Sequence, residues 1–287
     1  MHKPLISRRA AQISPFLAMD VLERAHQLEE DGARIMHLEV GEPDFDVPDC
    51  VKEACTRAVM EGNTHYTHSL GDLRLREAIC VHYADTYHVS ISPDQILVSS
   101  GTSPAMMLLF AALLEEGDEV ILTDPRYSCY PNAVRFAGGV TVDVPVYEED
   151  AFQLHPETVH GRITPRTRAV VVNSPSNPTG TLLTAANLQG ITQLGIPVVS
   201  DEIYHGLVYE GQAHSILEYT DEAFVLDGFS KRYAMTGLRL GYLVAPLSYV
   251  RPLQRLQQNF FISANSAAQA GGIAALQCAG PDVVRMA

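Results

Sequence analysis

The sequence is short of positive charge. Its 287 residues carry 20 Lys and Arg against 34 Asp and Glu, a formal net charge of -14. So acidic a chain is poorly suited to non-specific attachment to nucleic acid or to an anionic membrane surface. Any anion it holds must be held locally. The five cysteines, Cys50, Cys55, Cys80, Cys129 and Cys278, are odd in number and lack CxxC spacing, which excludes a disulfide framework and fits reduced thiols in the cytoplasm. Among 11 histidines there is no HExxH or comparable pair, and His65/His68 and His155/His160 fall in loop-like stretches; no metal is expected. No uncharged apolar run reaches membrane-spanning length. The N-terminus lacks the apolar stretch and small-residue cleavage site of a secretory signal. Internal repeats, long linkers and low-complexity tracts are missing too. What is present is an ordinary globular composition, 46% hydrophobic and 19% charged, in a chain long enough to bury a substantial core without crosslinks.

Apolar residues recur at helical spacing through Phe16, Met19, Leu22 and Leu28, and Asp31-Gly32 then reads as a stop. This helix is expected to be peripheral. Further helices are predicted over residues 49–60, 73–88, 104–114, 185–194, 249–258 and 267–277. Between them lie short runs at 95–99, 119–122, 140–144, 169–172, 198–200, 223–226 and 240–244, almost continuously apolar. Strands of that kind need cover on both faces, so the expected architecture is α/β, a mostly parallel central sheet with helices on both sides. In such sheets ligands gather where strands give way to loops and helix N-termini.

The most informative junction is DGFSKRYAMTGLRLGY, residues 227–242. Taken alone, Lys231 reads as a surface lysine. Arg239, eight residues on and flanked by Gly237 and Gly241, argues for more, because glycines permit close backbone approach. At VSDEIY, Asp201 ends an apolar run and reads equally as a helix cap, and Tyr204 as a half-buried tyrosine. NSPSNPTG, residues 173–180, is ordinary turn chemistry around Asn177. VSSGTSP, from residue 98, places Ser100, Gly101 and Thr102 at a helix start, either a hydroxyl cap or an anion site. DPRYSCYPN offers Tyr127, whose plain role would be packing. GEPDFDVP at 41–48 and HYTHSLGDLR from residue 65 look like turns.

Together these seven segments, in this order over residues 41–242, resemble the class I and II aminotransferases among the fold type I pyridoxal-phosphate enzymes. The resemblance implies that fold's large domain over 45–287, with residues 1–44 forming an N-terminal arm and part of an incomplete small domain. It implies pyridoxal 5′-phosphate as cofactor. Lys231 would carry the cofactor and shuttle the substrate Cα proton. Arg239, Ser100, Gly101 and Thr102 would hold the phosphate, Asp201 would pair with the ring nitrogen, and Tyr127 would stack on the ring. Tyr204 and Asn177 would contact the phenolic oxygen, with Gly41 and Asn177 on the substrate side. Tyr66 would reach the phosphate in the neighbouring subunit, which implies a homodimer with shared sites.

The sequence departs from the family pattern at Gly228, where many relatives have a phosphate-binding serine, and weaker phosphate binding is expected. Relatives also continue for about 100 residues more, a length within the ordinary domain range, and carry there the arginine for the substrate carboxylate. A fragment of a longer enzyme is therefore expected, and a shortened inactive relative is the other reading. The implied reaction is transfer of an amino group between an α-amino acid and a 2-oxo acid, as in enzymes acting on aspartate, alanine or aromatic amino acids. A β-lyase or synthase would reuse the same residues. A DNA-binding regulator with a borrowed domain would need a recognition helix that the short N-terminal segment lacks.

Overall fold

The computed structural model describes residues 5–287. Its seven strands are β1 (Ile96–Ser99), β2 (Glu119–Asp124), β3 (Val140–Pro145), β4 (Thr167–Asn173), β5 (Val198–Asp201), β6 (Phe224–Gly228) and β7 (Gly241–Val244). They form one sheet in the order β1-β7-β6-β5-β4-β2-β3. Only β7 runs against the rest, pairing antiparallel with both β1 and β6, so the sheet is mixed but mostly parallel.

Eleven α-helices surround the sheet among the described residues: α1 (Arg8–Ala11), α2 (Leu17–Glu30), α3 (Asp49–Met60), α4 (Leu73–Tyr87), α5 (Thr102–Leu113), α6 (Cys129–Phe136), α7 (Pro156–His160), α8 (Ala185–Thr192), α9 (Leu247–Phe260), α10 (Ser266–Cys278) and α11 (Gly280–Met286). None is long and apolar enough to cross a membrane. The strand period of two explains why the sheet needs both layers. Ala169 and Val171 of β4 join one apolar cluster with Leu109 and Phe110 of α5 and Leu253 of α9. Their neighbours Val170 and Val172 join the other, with Leu75 and Ile79 of α4, Val51 of α3 and Ala268 of α10.

All seven predicted strands form, and the main differences lie at helix starts. The spacing predicts α5 from residue 104, yet it begins at Thr102, so that Pro104 lies in the first turn. There its missing N–H removes no intrahelical bond. The same reasoning accounts for α6, α7 and α11, unpredicted helices with Pro131, Pro156 and Pro281 near their starts. The N-terminal segment packs sparsely, as expected of a peripheral helix. Ala25 is the buried residue of α2, while Leu17, Val21, Met36 and Leu38 are exposed.

Candidate active site

The register of the sheet brings the chemistry-bearing junctions to one edge. Asn173 pairs with Asp201, Asp201 with Leu226, Gly228 with Gly241, and Gly241 with Ser99. The loops that follow β1, β4, β5 and β6 therefore open side by side, beyond the carboxyl ends of the parallel strands.

At the β1–α5 junction, Gly101 occupies the N-cap at φ 93, and no side chain caps the helix. Its first-turn N–H groups and the positive end of the helix dipole are left to face an anion. Ser100 and Thr102 are half-buried there. Arg239 closes the other side: a Cβ on Gly101 would lie 2.5 Å from its Nη2, and a Cβ on Gly241 would lie 2.8 Å from the Thr102 nitrogen. Arg239 is itself left-handed at φ 51 and donates from Nη1 to the Thr236 carbonyl at 2.8 Å. A side chain in that region costs about 1–2 kcal/mol, so the loop is held by its surroundings in a conformation that aims the guanidinium at the helix start. Gly228 is explained by the same crowding. A Cβ there would come within 2.9 Å of the Gly241 Cα, so β7 leaves no room for a serine.

Lys231 stands at the mouth of this edge, its Nζ donating to the Gly41 carbonyl at 2.5 Å. Burial holds its pKa below the ordinary lysine value; Glu42 opposes the shift and Arg239 reinforces it. A desolvated amine of this kind is more readily neutral and nucleophilic. Asp201 is deeper, 7% exposed. It accepts from the Tyr130 hydroxyl at 2.6 Å and from the Ile203 N–H at 3.2 Å. Burial raises its pKa, and those two hydrogen bonds pull the other way. Asn177 donates to the Tyr204 hydroxyl at 3.2 Å, so both point to one locus. The Tyr127 ring lies edge-on to Tyr130 at 5.3 Å and to Phe16 at 6.0 Å. Tyr66 is 80% exposed and makes no hydrogen bond to these groups among the described residues.

Two supporting residues escape a reading of the sequence. Tyr130 orients Asp201, and Asn173 links the Asp201 carbonyl, at 2.9 Å, to the Asn177 N–H, at 2.7 Å. Tyr130 and Asp201 are 71 positions apart, and no local pattern announces such a pair. A second, buried acid layer lies behind them. Glu202 accepts from Ser200, Ser215 and the Ile216 N–H, and Asp227 accepts from Tyr242 at 2.7 Å and from the Gly228 N–H at 2.6 Å. His205, whose ring nitrogens meet the Tyr87 hydroxyl and the Ser174 carbonyl at 2.8 Å each, has its pKa lowered by burial. Its Nδ1 lies 3.7 Å from Glu202 Oε2.

Burial pushes Glu202 and Asp227 each up to about 7. Because these folded-state values exceed the ordinary carboxyl values, the folded chain holds protons that the unfolded chain releases. Their stabilising contribution is complete below about pH 4 and is lost as pH rises towards 7. The slope is at most about 1.4 kcal/mol per pH unit per group. Asp227→Asn is expected to flatten the fall in melting temperature between pH 5 and 7 and to raise it at pH 8. An unchanged pH profile would show that Asp227 is ionised throughout.

The family profile described as aminotransferase class I and II matches residues 33–280. The chain belongs to that family. It is 39% identical over 286 residues to a probable aspartate/prephenate aminotransferase of Aquifex aeolicus, covering 96% of this chain and 72% of that protein. It is 38% identical over 279 residues to the aspartate aminotransferase of Geobacillus stearothermophilus, covering 94% and 71%. The solved structure of aspartate aminotransferase from Thermus thermophilus with maleate superposes with a TM-score of 0.95 at 38% identity, over 100% of this chain and 76% of that one. Aminotransferases of this family use pyridoxal phosphate.

Proposed function

We infer that this aminotransferase uses pyridoxal 5′-phosphate to move an amino group between an α-amino acid and a 2-oxo acid, with dicarboxylic substrates such as aspartate as the first candidates. The observation that carries the reading is the meeting, at one sheet edge, of an uncapped helix start with Arg239, a desolvated lysine and a buried carboxylate. A phosphate fits the cradle of Ser100, Gly101, Thr102 and Arg239, where added side chains would clash. An aldehyde carbon fits the Lys231 amine, and a protonated ring nitrogen fits Asp201.

When bound, this group supplies an electron sink for charge that develops at the substrate Cα. Lys231 takes and returns the Cα proton. Asp201 keeps the proton on the ring nitrogen, and Tyr130 and Ile203 keep the Asp201 carboxylate in place. Asn177 and Tyr204 would hold the cofactor's phenolic oxygen, Tyr127 would support its ring, and Gly41 would border the substrate. In the same reading residues 1–44 are the arm and part of the small domain, and 45–287 the large domain.

The test is a half-reaction screen of cofactor-loaded protein, following the loss of cofactor absorbance as each common amino acid is added. Aspartate is expected to respond and to yield its 2-oxo acid without ammonia. Release of ammonia and pyruvate would instead identify an eliminating lyase.

The proposed homodimer rests on the family resemblance of the segment around Tyr66, whose ring is exposed. Tyr66→Phe and Lys231→Ala proteins, each impaired alone, are expected to regain part of the wild-type activity when their subunits exchange, because one site of the mixed dimer then has both residues intact. No recovery despite demonstrated exchange would place Tyr66 outside a shared site.

A further inference from the structure

Outside the sheet edge, the N-terminal segment carries a second cluster of ligating side chains. His26 and Glu29 are three residues apart on α2 and so share a face. The turn at Asp31 and Gly32 reverses the chain and returns His37 to that face. One ligating atom from each of the three residues lies within 4.8 Å of the other two. The His37 Nε2 is 3.0 Å from Glu29 Oε1, and the His26 and His37 ring centres are 5.6 Å apart.

We propose that His26, Glu29 and His37 bind one Zn2+ ion per chain, with Glu39 as the outer carboxylate that orients His37. Two imidazoles and a carboxylate form a common three-residue zinc set, with a fourth position for water. Ligands about 2.1 Å from a tetrahedral ion lie roughly 3.4 Å from one another, and small rotations of exposed side chains bring the cluster to that spacing. Imidazole donors favour zinc-like ions over Mg2+ and Ca2+, which take oxygen ligands.

The strongest argument is the support behind His37. Its Nδ1 faces Glu39 Oε1 at 2.6 Å, while the other Glu39 oxygen accepts from the Leu38 N–H at 2.8 Å. The Glu39 side chain is only 10% exposed although the cluster lies at the surface. A proton on Nδ1 shared with Glu39 leaves the Nε2 lone pair pointing towards Glu29 and His26. This carboxylate–histidine arrangement is the one that orients ligands in zinc sites. Bound zinc would fasten α2 to the segment that leads, four residues after His37, to Gly41 and its contact with Lys231.

The test begins with full-length protein stripped by a chelator and titrated calorimetrically with ZnCl2. One ion per chain is expected, and Co2+ at the same stoichiometry should show the intense visible bands of four-coordinate cobalt. His26→Ala and His37→Ala should each abolish both signals. Glu39→Gln, which keeps every direct ligand, should weaken binding about 10- to 100-fold. Zinc should also slow amide exchange around residues 34–41 in the wild type and not in His37→Ala. Absence of binding would overturn the proposal and leave the cluster as an ion pair. Stoichiometric binding that persists in a His26→Ala/His37→Ala protein would overturn it by placing the zinc elsewhere. Unchanged affinity in Glu39→Gln would remove Glu39 from the site.

Discussion

Lys231→Ala protein is expected to fold, to retain much of its noncovalent affinity for pyridoxal phosphate, and to turn over about 10²–10⁴-fold more slowly than the wild type. The expectation separates two jobs that fall to different residues. Affinity rests on the α5 start and Arg239, which the substitution leaves intact. The amine beside Gly41 is the group placed to attach to the cofactor and to move the Cα proton, and water entering the vacated space has neither its position nor its strength as a base. Folding should survive because Lys231 is half-buried and its polar contact is with the exposed Gly41 segment. Borohydride treatment of loaded wild-type protein, followed by peptide mapping, should find the cofactor on the peptide containing Lys231. Labelling at any other lysine would refute the assignment, as would near-normal turnover in the variant.

Asp201→Ala should slow the proton-transfer step by about 10²–10³-fold while changing cofactor affinity far less. A fixed anion beside the ring nitrogen favours the protonated ring, and removing such a preorganised charge has effects of that size. The Asp201 carboxylate is useful only while ionised, yet burial raises its pKa. The Tyr130 hydroxyl at 2.6 Å opposes that shift. Tyr130→Phe removes one hydrogen bond to a charged group, worth about 1.5–3 kcal/mol, and is therefore expected to slow the same step by about tenfold or somewhat more. Because Tyr130 acts through Asp201, its loss should move the acid limb of the pH–rate profile upward, which a purely structural defect would not do. In the Asp201→Ala background, Tyr130→Phe should add little. Equal single-turnover rates for Asp201→Ala and wild type would contradict the role of the carboxylate. Additive losses in the double variant would contradict the coupling.

Much of the fold was legible because its signals are local. Apolar runs marked the strands, and those covered on both faces have no solvent side to show as alternation; β3, at the end of the sheet, is largely exposed. Helix starts were less legible, because a proline in the first turn reads as a break although the helix tolerates it there, as at Pro104 and Pro131. At the site, junction motifs singled out Lys231, Asp201, Asn177, Gly101 and Arg239, as each stands at the end of a strand or in a loop that directly follows a strand or leads into one.

What the chain's linear order determined by itself is thus the class of fold, the family and the residues that stand at strand ends, since periodicity and short motifs are properties of neighbours along the chain. Tertiary structure alone decided that Tyr130 holds Asp201, that β7 leaves Gly228 no room for a side chain, that Asp227 and Glu202 lie buried behind the site, and that His37 returns to His26 and Glu29. Most of these contacts join residues distant in sequence, and even those between near neighbours depend on strand register, burial or the direction of a turn. Hydrogen bonding, desolvation and ligand geometry act over a few ångströms in space, whatever the separation along the chain.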